Sequence, residues 1–380
     1  MQLCEPKLCT GCTACAAACP GDCIVMERDR EGFLRPVIDG SRCTECGLCA
    51  KACPVLNAPQ KAGGLPAAFG AKNKDEPTRA LSASGGVFTL LAEEILARGG
   101  VVFGAAFDME FRVHHKPAVT TTELVSLRGA KYAQSDMDGI FRQVKEQLQQ
   151  GKQVLFSGTP CQVAGLRAYL GREEPNLWLV DVVCHGVTSP AVWERYLAQK
   201  SEQICQGQRP VTVNLRSKGS RQGLEVEIRW PYSRSYTASH REDPYVRAFN
   251  GGLCLRPSCH RCSFKGLTHP ADFTLGGLRT SNEETIAVDS TAVLVHTAKA
   301  KELWDKLSQT LSVQTVDVRR CMEHNPAAMQ SAACDAEMRE SFLHRFEDED
   351  MAALADELLP RIDNRESGLA GRLMGFFRKK

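Results

Sequence analysis

The chain has 380 residues with a formal net charge of +2, and 24% of its residues are charged. This length suits a small module followed by one larger domain with its own core. The near-neutral charge gives no electrostatic reason to expect a nucleic-acid partner, and no apolar run is long enough to predict a transmembrane segment.

The cysteine content is unusual, with 18 cysteines in the chain. The first residues show no basic stretch followed by an apolar core, so no signal peptide is visible. In a reducing cytosol, cysteines serve more often as metal ligands or catalytic groups than as disulfides. We therefore expect a cytoplasmic protein whose thiols are mainly ligands.

The first sixty residues contain one cysteine pattern twice. Residues 9–20 and 43–54 both read C-x2-C-x2-C-x3-C-P. Three closely spaced thiolates surround one face of an iron–sulfur cube, whereas the fourth faces away and binds the other cluster. Residues 1–60 are therefore predicted to be a ferredoxin-type domain with two 4Fe-4S clusters. The first is assigned to Cys9, Cys12, Cys15 and Cys53, and the second to Cys43, Cys46, Cys49 and Cys19.

Zinc is the alternative occupant of such thiols, because four thiolates also suit a zinc ion. The triple-then-single spacing and its duplication are typical of clusters instead. Cys4 and Cys23 flank the module and fit neither ligand set. They are expected to be small packed residues, since a free cysteine behaves as a small hydrophobic side chain.

Beyond a linker at 57–64, apolar runs alternate with helical patterns. Helices are predicted over 87–98, 138–150, 163–170 and 191–200, and strands over 101–107, 154–156 and 177–183. Two further strands, 211–215 and 224–230, resemble an antiparallel excursion. The alternation predicts an α/β domain with a largely parallel core over residues 66–345. Residues 346–380 are expected to form a helical or flexible tail.

Two junctions combine small and hydroxyl residues with the start of a helix. They are the segments 157–162 and Ser84-Gly85-Gly86. Backbone amides at a helix N-terminus can bind a phosphate-bearing cofactor. Tight turns with ordinary helix caps explain the same residues, and neither a G-x-G-x-x-G nor a Walker loop is present.

Four later cysteines are candidates for one more site. Cys161 and Cys184 follow two consecutive predicted strands, and ligands gather at such strand ends in open α/β sheets. Cys259 and Cys262 form a closely spaced pair. Convergence of the four thiols on a metal, a zinc site, and unrelated buried cysteines all remain open on spacing alone.

The remaining cysteines and histidines carry weaker signals. Cys205, Cys321 and Cys334 are most simply packing residues. His185, His260 and His269 are candidate acid–base groups, although an isolated histidine is more often structural. No catalytic residue is assigned.

Taken together, these motifs resemble the coenzyme F-420 hydrogenase/dehydrogenase beta-subunit family. The resemblance rests on the double ferredoxin motif and on five further segments of the α/β domain, and it runs to about residue 280. Those segments are 84–86, 128–135, 156–162, 184–186 and 256–262, the last followed by Ala271-Asp272.

The resemblance implies a flavoprotein with FAD bound in the α/β domain and iron–sulfur clusters feeding it. The positions expected to line the flavin are Ser84, Gly85, Gly86, Lys131, Tyr132, Ser157, Gly158, Thr159 and Gln162. Lys131 is expected to pair with the pyrophosphate. A third 4Fe-4S cluster is expected on Cys161, Cys184, Cys259 and Cys262, whereas Cys254 lies outside the family pattern.

Two departures from the family pattern concern the electron acceptor. Relatives often have Gly-Asp-Phe/Tyr-Trp-Gly after the Ala-Asp pair, whereas this chain has the sequence Leu-Gly-Gly-Leu-Arg at 275–279. Ala130 replaces the family serine before Lys131. Both positions are expected near the flavin or its substrate.

The predicted function is that of an iron–sulfur flavoprotein oxidoreductase, which passes electrons from the ferredoxin-type clusters through FAD to a two-electron organic acceptor. Its expected partners are ferredoxin or another redox protein and a small-molecule acceptor, in a homo-oligomer or as a complex subunit. One alternative is a non-catalytic relay subunit on a partner oxidoreductase. Another is a bare ferredoxin carrier with a zinc site. The segment 364–380 has a weak amphipathic basic pattern, typical of either a frayed end or a docking helix.

Overall fold

The computed structural model describes residues 3–58, 64–220, 223–278, 290–323 and 325–359. Most of the predicted linker, Arg279 and the amphipathic basic segment at 364–380 lie outside the described residues. In the described ranges, no helix is both long and apolar enough to cross a membrane.

The N-terminal module repeats one local structure, as its duplicated motif predicts. Its elements are α1 (Ala14–Ala17), β1 (Ile24–Arg28), β2 (Leu34–Ile38) and α2 (Leu48–Lys51). The strands pair antiparallel. Each short helix follows a residue with left-handed backbone, Thr13 at φ 65° and Gly47 at φ 79°. This reversal turns each cysteine loop directly into its helix.

The larger domain is built on eleven described strands in two sheets. The strands are β3 (Ala67–Asn73), β4 (Val101–Phe107), β5 (Val113–Ala118), β6 (Val154–Gly158), β7 (Leu177–Val182), β8 (Thr212–Ser220), β9 (Gly223–Arg229), β10 (Ser235–Ser239), β11 (Phe273–Leu278), β12 (Ser290–Val295) and β13 (Leu311–Thr315). Eight of them form the main sheet in the order β13-β3-β12-β11-β7-β6-β4-β5.

Helices cover both faces of the main sheet. The helices of this domain are α3 (Glu76–Ala80), α4 (Val87–Ala97), α5 (Thr121–Leu124), α6 (Ile140–Gln149), α7 (Pro160–Leu170), α8 (Pro190–Cys205), α9 (Pro244–Asn250), α10 (Ala298–Leu307), α11 (Val318–Glu323), α12 (Pro326–Met329), α13 (Ala336–Arg345) and α14 (Met351–Leu358). Helices α4 and α10 share one apolar core with the sheet, whereas α6 and α7 share another on the opposite face. The α/β class and all four predicted helices are confirmed.

The main sheet is mixed, and its centre is parallel as predicted. Among the described strands, the pairs β4/β6, β6/β7 and β7/β11 are parallel. The pairs β4/β5, β11/β12, β12/β3 and β3/β13 are antiparallel. Parallel neighbours need a crossover helix, whereas β5 follows β4 after a short turn and must run back along it. The parallel strands therefore occupy only the centre of the sheet.

The predicted antiparallel excursion is confirmed as a second sheet. Strands β8, β9 and β10 pair antiparallel in the order β10-β9-β8. Its residues pack with α8, α9, α13 and α14 in a separate apolar core. This layer stands over the ends of the central strands, where it forms one wall of the cavity described below.

The module docks tightly on the larger domain. Cys12, Ala14 and Ala52 share an apolar core with residues of α6, α7 and the sheet. Arg142 of α6 reaches the module and donates hydrogen bonds to the carbonyl oxygens of Ala16 and Ala17 at 3.0 and 3.1 Å. The N-terminal thiols therefore lie against the larger domain.

Candidate electron-transfer and cofactor site

The first set of thiols surrounds one small pocket of the module. Cys9, Cys12, Cys15 and Cys53, the four predicted ligands, all line it. Positive φ angles at Gly11 (67°) and Thr13 turn the loop so that its cysteines point inward. The donors are four thiols, which is the ligand set that a 4Fe-4S cluster needs.

The second set lies at the outer end of the module. Cys19, Cys43 and Cys49 share an apolar cluster there, and Cys46 is exposed on the loop between Cys43 and Cys49. The pattern of one fourth cysteine exchanged between the two sets therefore agrees with the structure: Cys53 joins the first set and Cys19 the second.

A fifth thiol accompanies each of these two sets. Cys4 is hydrogen-bonded to Cys9 and Cys53, and the Sγ atoms of Cys23 and Cys19 are 3.2 Å apart. The bond from Cys4, followed by the charge of Arg256, lowers the pKa of Cys9 to about 5 against the effect of burial. Cys4 and Cys23 are thus hydrogen-bonding neighbours of the predicted ligands, and Cys23 is also buried in the apolar cluster, as expected of a packed residue.

The third set converges from three parts of the fold. Cys161 lies in the first turn of α7, Cys184 follows β7, and Cys259 and Cys262 belong to the turn at Pro257–Arg261. All four line one enclosed pocket. Burial and neighbouring thiols raise the pKa of Cys259 to about 11, and burial is the main cause that raises the pKa of Cys184 to about 12. A positively charged metal centre would lower the free-energy cost of deprotonating these buried thiols.

Cys254 does not join this set. Its side chain is fully buried in the apolar core of the α8–α9 layer and does not line the pocket. Cys205 and Cys321 are buried and Cys334 is exposed, each outside the three thiol sets.

Four thiolates suit either a zinc ion or an iron–sulfur cube. Across the described ranges, no three His, Cys, Asp or Glu side chains are placed to hold a single metal ion.

The three sets follow one another through the molecule. Cys12 is within electrostatic reach of Cys161, and Thr10 lines both the first and the third pocket. The second set, whose Cys46 is exposed, adjoins Cys15 of the first set. The order from the surface inward is therefore the second, the first and the third set.

A large cavity adjoins the third thiol set. Its volume is about 1020 Å³, at the upper end of the range for small-molecule sites. It opens at the ends of β4, β6, β7 and β11, where ligands collect in open α/β sheets. Residues 184–187, Thr159, Gln162 and Ala327 line both this cavity and the thiol pocket. A ligand in the cavity would therefore lie beside the third set.

Eight of the nine predicted flavin positions line this cavity. They are Ser84, Gly86, Lys131, Tyr132, Ser157, Gly158, Thr159 and Gln162. Gly85 does not line the cavity. Its amide donates a 2.8 Å hydrogen bond to Oγ1 of Thr291. Ser84 is also hydrogen-bonded to Thr291, at 3.0 Å.

Two helix N-termini border the cavity. At α7, Oε1 of Gln162 accepts hydrogen bonds from the amide of Thr159 at 2.9 Å and from its hydroxyl at 3.1 Å. At α4, Gly86 is the N-cap with φ 82° and has no side chain to bond the helix amides. Gly86, Val87, Phe88 and Thr89 all line the cavity. The first amides of α4 are therefore available to an anion.

The cavity wall is cationic. Arg128, Lys131, Arg216 and Arg241 line it, and no Asp or Glu does among the residues that the structure describes. Arg128 has a carboxylate partner, Glu93, at 3.6 Å. Burial lowers the pKa of Lys131 to about 7, and its Nζ donates only to the carbonyl oxygens of Ser126 and Arg128. The wall suits an anionic ligand.

The departures from the family pattern also face this cavity. Ala130, Gly276 and Gly277 all line it. A Cβ atom at Gly277 would stand 2.6 Å from an Nη atom of Arg216. The absence of a side chain at Gly277 therefore lets Arg216 lie against β11.

Two cavity residues had no sequence signal strong enough to single them out. Arg216 lies on the antiparallel excursion, far from any motif. His115 lies on β5, and its Nε2 is 2.9 Å from the carbonyl oxygen of Ser157. Because a carbonyl only accepts, Nε2 carries the proton and Nδ1 is an acceptor. Burial lowers the pKa of His115 to about 4, so the ring is neutral.

The three histidines suggested by the sequence lie in different surroundings. His185 lines both the thiol pocket and the cavity. His269 is buried with its Nδ1 2.8 Å from Asp181, and His260 contacts the carbonyl oxygen of Ala332 at 3.2 Å. Of these three histidines, His185 alone lines the cavity.

Two family models match parts of the chain. Residues 8–57 match the 4Fe-4S dicluster domain, and residues 151–320 match the C terminus of the coenzyme F420 hydrogenase/dehydrogenase beta subunit. No curated protein matches. Among solved structures, a chain of the F420-reducing NiFe hydrogenase complex from Methanosarcina barkeri is similar, with 16% identity, a TM-score of 0.48, and coverage of 83% of this chain and 94% of that one.

The family resemblance seen in the motifs is confirmed by the two domain matches, which lie over the thiol sets and over much of the cavity. This chain is an iron–sulfur protein of the oxidoreductase class, with an N-terminal 4Fe-4S dicluster domain followed by a domain of the coenzyme F420 hydrogenase/dehydrogenase beta-subunit family.

Proposed function

We propose that this protein is an oxidoreductase that passes electrons from three 4Fe-4S clusters through FAD to a two-electron organic acceptor. The observation that supports it most is the shared wall between the third thiol pocket and the cavity lined by the predicted flavin residues. A cofactor that exchanges electrons with a cluster needs such contact, whereas a bare ferredoxin carrier has no use for the cavity.

The twelve cysteines of the three sets would hold the clusters, which supply one-electron transfer. The second set is nearest the surface: Cys46 is exposed and Leu48 beside it keeps 43% of its side chain exposed. A ferredoxin or another redox protein would dock there. The cytoplasm is the compartment we propose, because its reducing conditions preserve thiolate ligands.

The cavity residues fit FAD, which supplies the exchange between single electrons and electron pairs. The uncapped terminus of α4 and the ammonium group of Lys131 would bind its pyrophosphate. Tyr132 is stacked on Phe249, with ring centroids 4.6 Å apart, and this rigid aromatic pair would form an apolar wall for the ligand. The hydrogen bonds from Thr159 to Gln162 hold both residues in place before any ligand binds.

The acceptor would enter the same cavity from the side of the antiparallel sheet. Arg216 and Arg241 stand on this side. With Gly277 making room for Arg216, they would attract an acceptor that carries an acidic group. These residues differ in position from the predicted flavin residues, so they would govern the choice of acceptor rather than the retention of FAD.

The relay alternative makes a different prediction about the isolated chain. A relay subunit would hold the clusters and pass electrons only to its partner protein. The proposed enzyme, purified alone, would oxidise reduced ferredoxin in the presence of a small quinone such as menadione. Clusters with bound FAD but no quinone reduction would favour the relay function.

Replacing Lys131 by methionine is expected to weaken FAD binding roughly 10- to 100-fold, because one charge-assisted hydrogen bond to phosphate is lost. The measurement is FAD affinity of flavin-depleted chain by fluorescence quenching. Lys116→Met is the matched control, since Lys116 lies on neighbouring β5 but does not line the cavity. Equal affinities for the two variants would contradict the assignment of Lys131.

The affinity for FAD is expected to fall as the pH rises above about 7. The pKa of Lys131 is lowered to about 7 in the free protein, and a bound phosphate would raise it, so binding takes up a proton in this range. The association constant therefore falls by up to about tenfold per pH unit. Titrations between pH 6 and 9 test this. Riboflavin, which lacks phosphate, should show no such slope, and Lys131→Arg should abolish it for FAD because arginine stays charged.

A further inference from the structure

Arg256 is a buried cation between the first and third thiol sets. It keeps 1% of its surface exposed and stands three residues before Cys259. Its carbonyl oxygen accepts a 2.8 Å hydrogen bond from the amide of Cys259, which shapes the turn that carries this cysteine. The backbone of Arg256 therefore helps to position Cys259 of the third set.

Its side chain reaches into the module. The guanidinium donates to the carbonyl oxygens of Cys9 at 2.7 Å and Leu34 at 2.9 Å, and to Oε1 of Gln134 at 2.6 Å. Its Nη2 is also 3.6 Å from the Sγ atom of Cys9. The guanidinium carbon lies 5.2 Å from the centre of the Phe33 ring. One side chain thus connects the two cysteine sites.

None of these acceptors is a carboxylate. In the described part of the chain, Arg256 makes no ion pair with Asp or Glu, and its hydrogen-bond partners are neutral groups and one thiol. The nearby Arg35 differs, because Asp29 holds it at 2.8 Å. A buried charge without a counter-charge is costly, so Arg256 needs an anionic partner.

The anion would come from the thiol sets themselves. A 4Fe-4S cluster on four thiolates is negatively charged, because the thiolates outweigh the charge of the core. Arg256 is within electrostatic reach of both Cys9 and Cys259. It lines the pocket of the third set. No contact joins it to Cys19, Cys43, Cys46 or Cys49 of the second set.

We propose that Arg256 is the shared counter-charge of the first and third cluster sites, and that it raises their reduction potentials above the value they would otherwise have. A fixed positive charge stabilises the reduced, more negative cluster. The second site lacks this charge. Arg256 would therefore make electron transfer from the second site inward more favourable. This inference rests on the proposed cluster ligands and concerns a positioning and tuning residue, not a catalytic one.

The test is a potentiometric titration of the full-length, anaerobically purified chain, followed by electron paramagnetic resonance. The third-site signal is identified by its loss in Cys259→Ala, and the second-site signal by its loss in Cys46→Ala. Arg256→Gln is expected to lower the midpoint potentials of the first and third sites and to leave the second unchanged. Arg256→Lys, which keeps the charge, is expected to stay near the parent values.

Gln134 offers a second route that leaves the arginine in place. Gln134→Glu puts a carboxylate against the guanidinium and neutralises it, so the same two potentials are expected to fall. Gln134→Leu removes the hydrogen bonds that the Gln134 amide makes with Arg256 and Thr10 and adds no charge. The midpoint potentials of this variant are expected to stay near the parent values.

Two results would overturn the proposal: unchanged potentials in Gln134→Glu, or an equal shift at all three sites. The failure of the cluster assignment itself would look different, because iron would then be missing from the parent chain before any substitution at Arg256 or Gln134.

Discussion

Replacing Cys259 and Cys262 together by alanine is expected to remove about four iron atoms per chain and to abolish electron delivery to a soluble acceptor. Two of the four thiols of the third pocket would be lost, and the remaining pair, Cys161 and Cys184, cannot hold a cube. The first two clusters would remain reducible by dithionite, because their ligands lie in the N-terminal module. Iron and sulfide analysis with optical reduction measures both effects.

The matched control for this double substitution is Cys205→Ala with Cys254→Ala. Both thiols are buried, but neither lines the third pocket. The control is expected to keep its iron and its activity. Unchanged iron in the Cys259 and Cys262 variant would remove the third cluster from the proposed pathway, and one zinc per parent chain would reassign the thiols to a structural ion.

Replacing Gly165 by alanine is expected to displace the N-terminal module and to deplete the first cluster. A Cβ atom at Gly165 would stand 2.8 Å from the Sγ atom of Cys12 and 3.3 Å from the Phe141 ring. Alanine in mid-helix would by itself stabilise α7 by about 0.5–1 kcal/mol. Overpacking costs about 1–3 kcal/mol, so the net effect is a loss of stability.

Urea unfolding and iron content measure this effect. Gly40→Ala, in the N-terminal module, is the control, since nothing lies within 4 Å of its added Cβ. The control is expected to match the parent. A Gly165→Ala chain as stable as the parent, with full iron, would mean that Cys12 moves away without cost and that the module is docked less tightly than its contacts indicate.

Local sequence patterns were sufficient for much of the fold. The strand predicted at 101–107 matches β4, and the helix predicted at 87–98 matches α4 to within one residue. Strands β11, β12 and β13 were not predicted, because their places in the sheet depend on long-range pairing. Strands β3, β5 and β10 were not predicted either. The order of strands and helices predicted the parallel centre of the main sheet but not the antiparallel strands beside it.

For the candidate site as well, some features follow from sequence motifs and others depend on tertiary contacts. Cysteine spacing and the family motifs pointed to the thiols and to eight residues that line the cavity, because these residues lie in continuous sequence motifs. The same motifs do not reveal that Gln162 is held by hydrogen bonds from Thr159 and to Ser135. Nor do they indicate that Arg216 reaches the cavity across Gly277, or that Arg256 is buried without a carboxylate. Those properties depend on contacts between distant segments.

The content of iron, sulfide, zinc and flavin per chain after anaerobic purification is the most direct test of three clusters beside a flavin. About twelve irons, matching sulfide, one FAD and no zinc are the predicted result. A well-folded chain without flavin would contradict the flavin assignment and leave an electron carrier. About eight irons with one zinc would contradict the third cluster and confine the clusters to the N-terminal module.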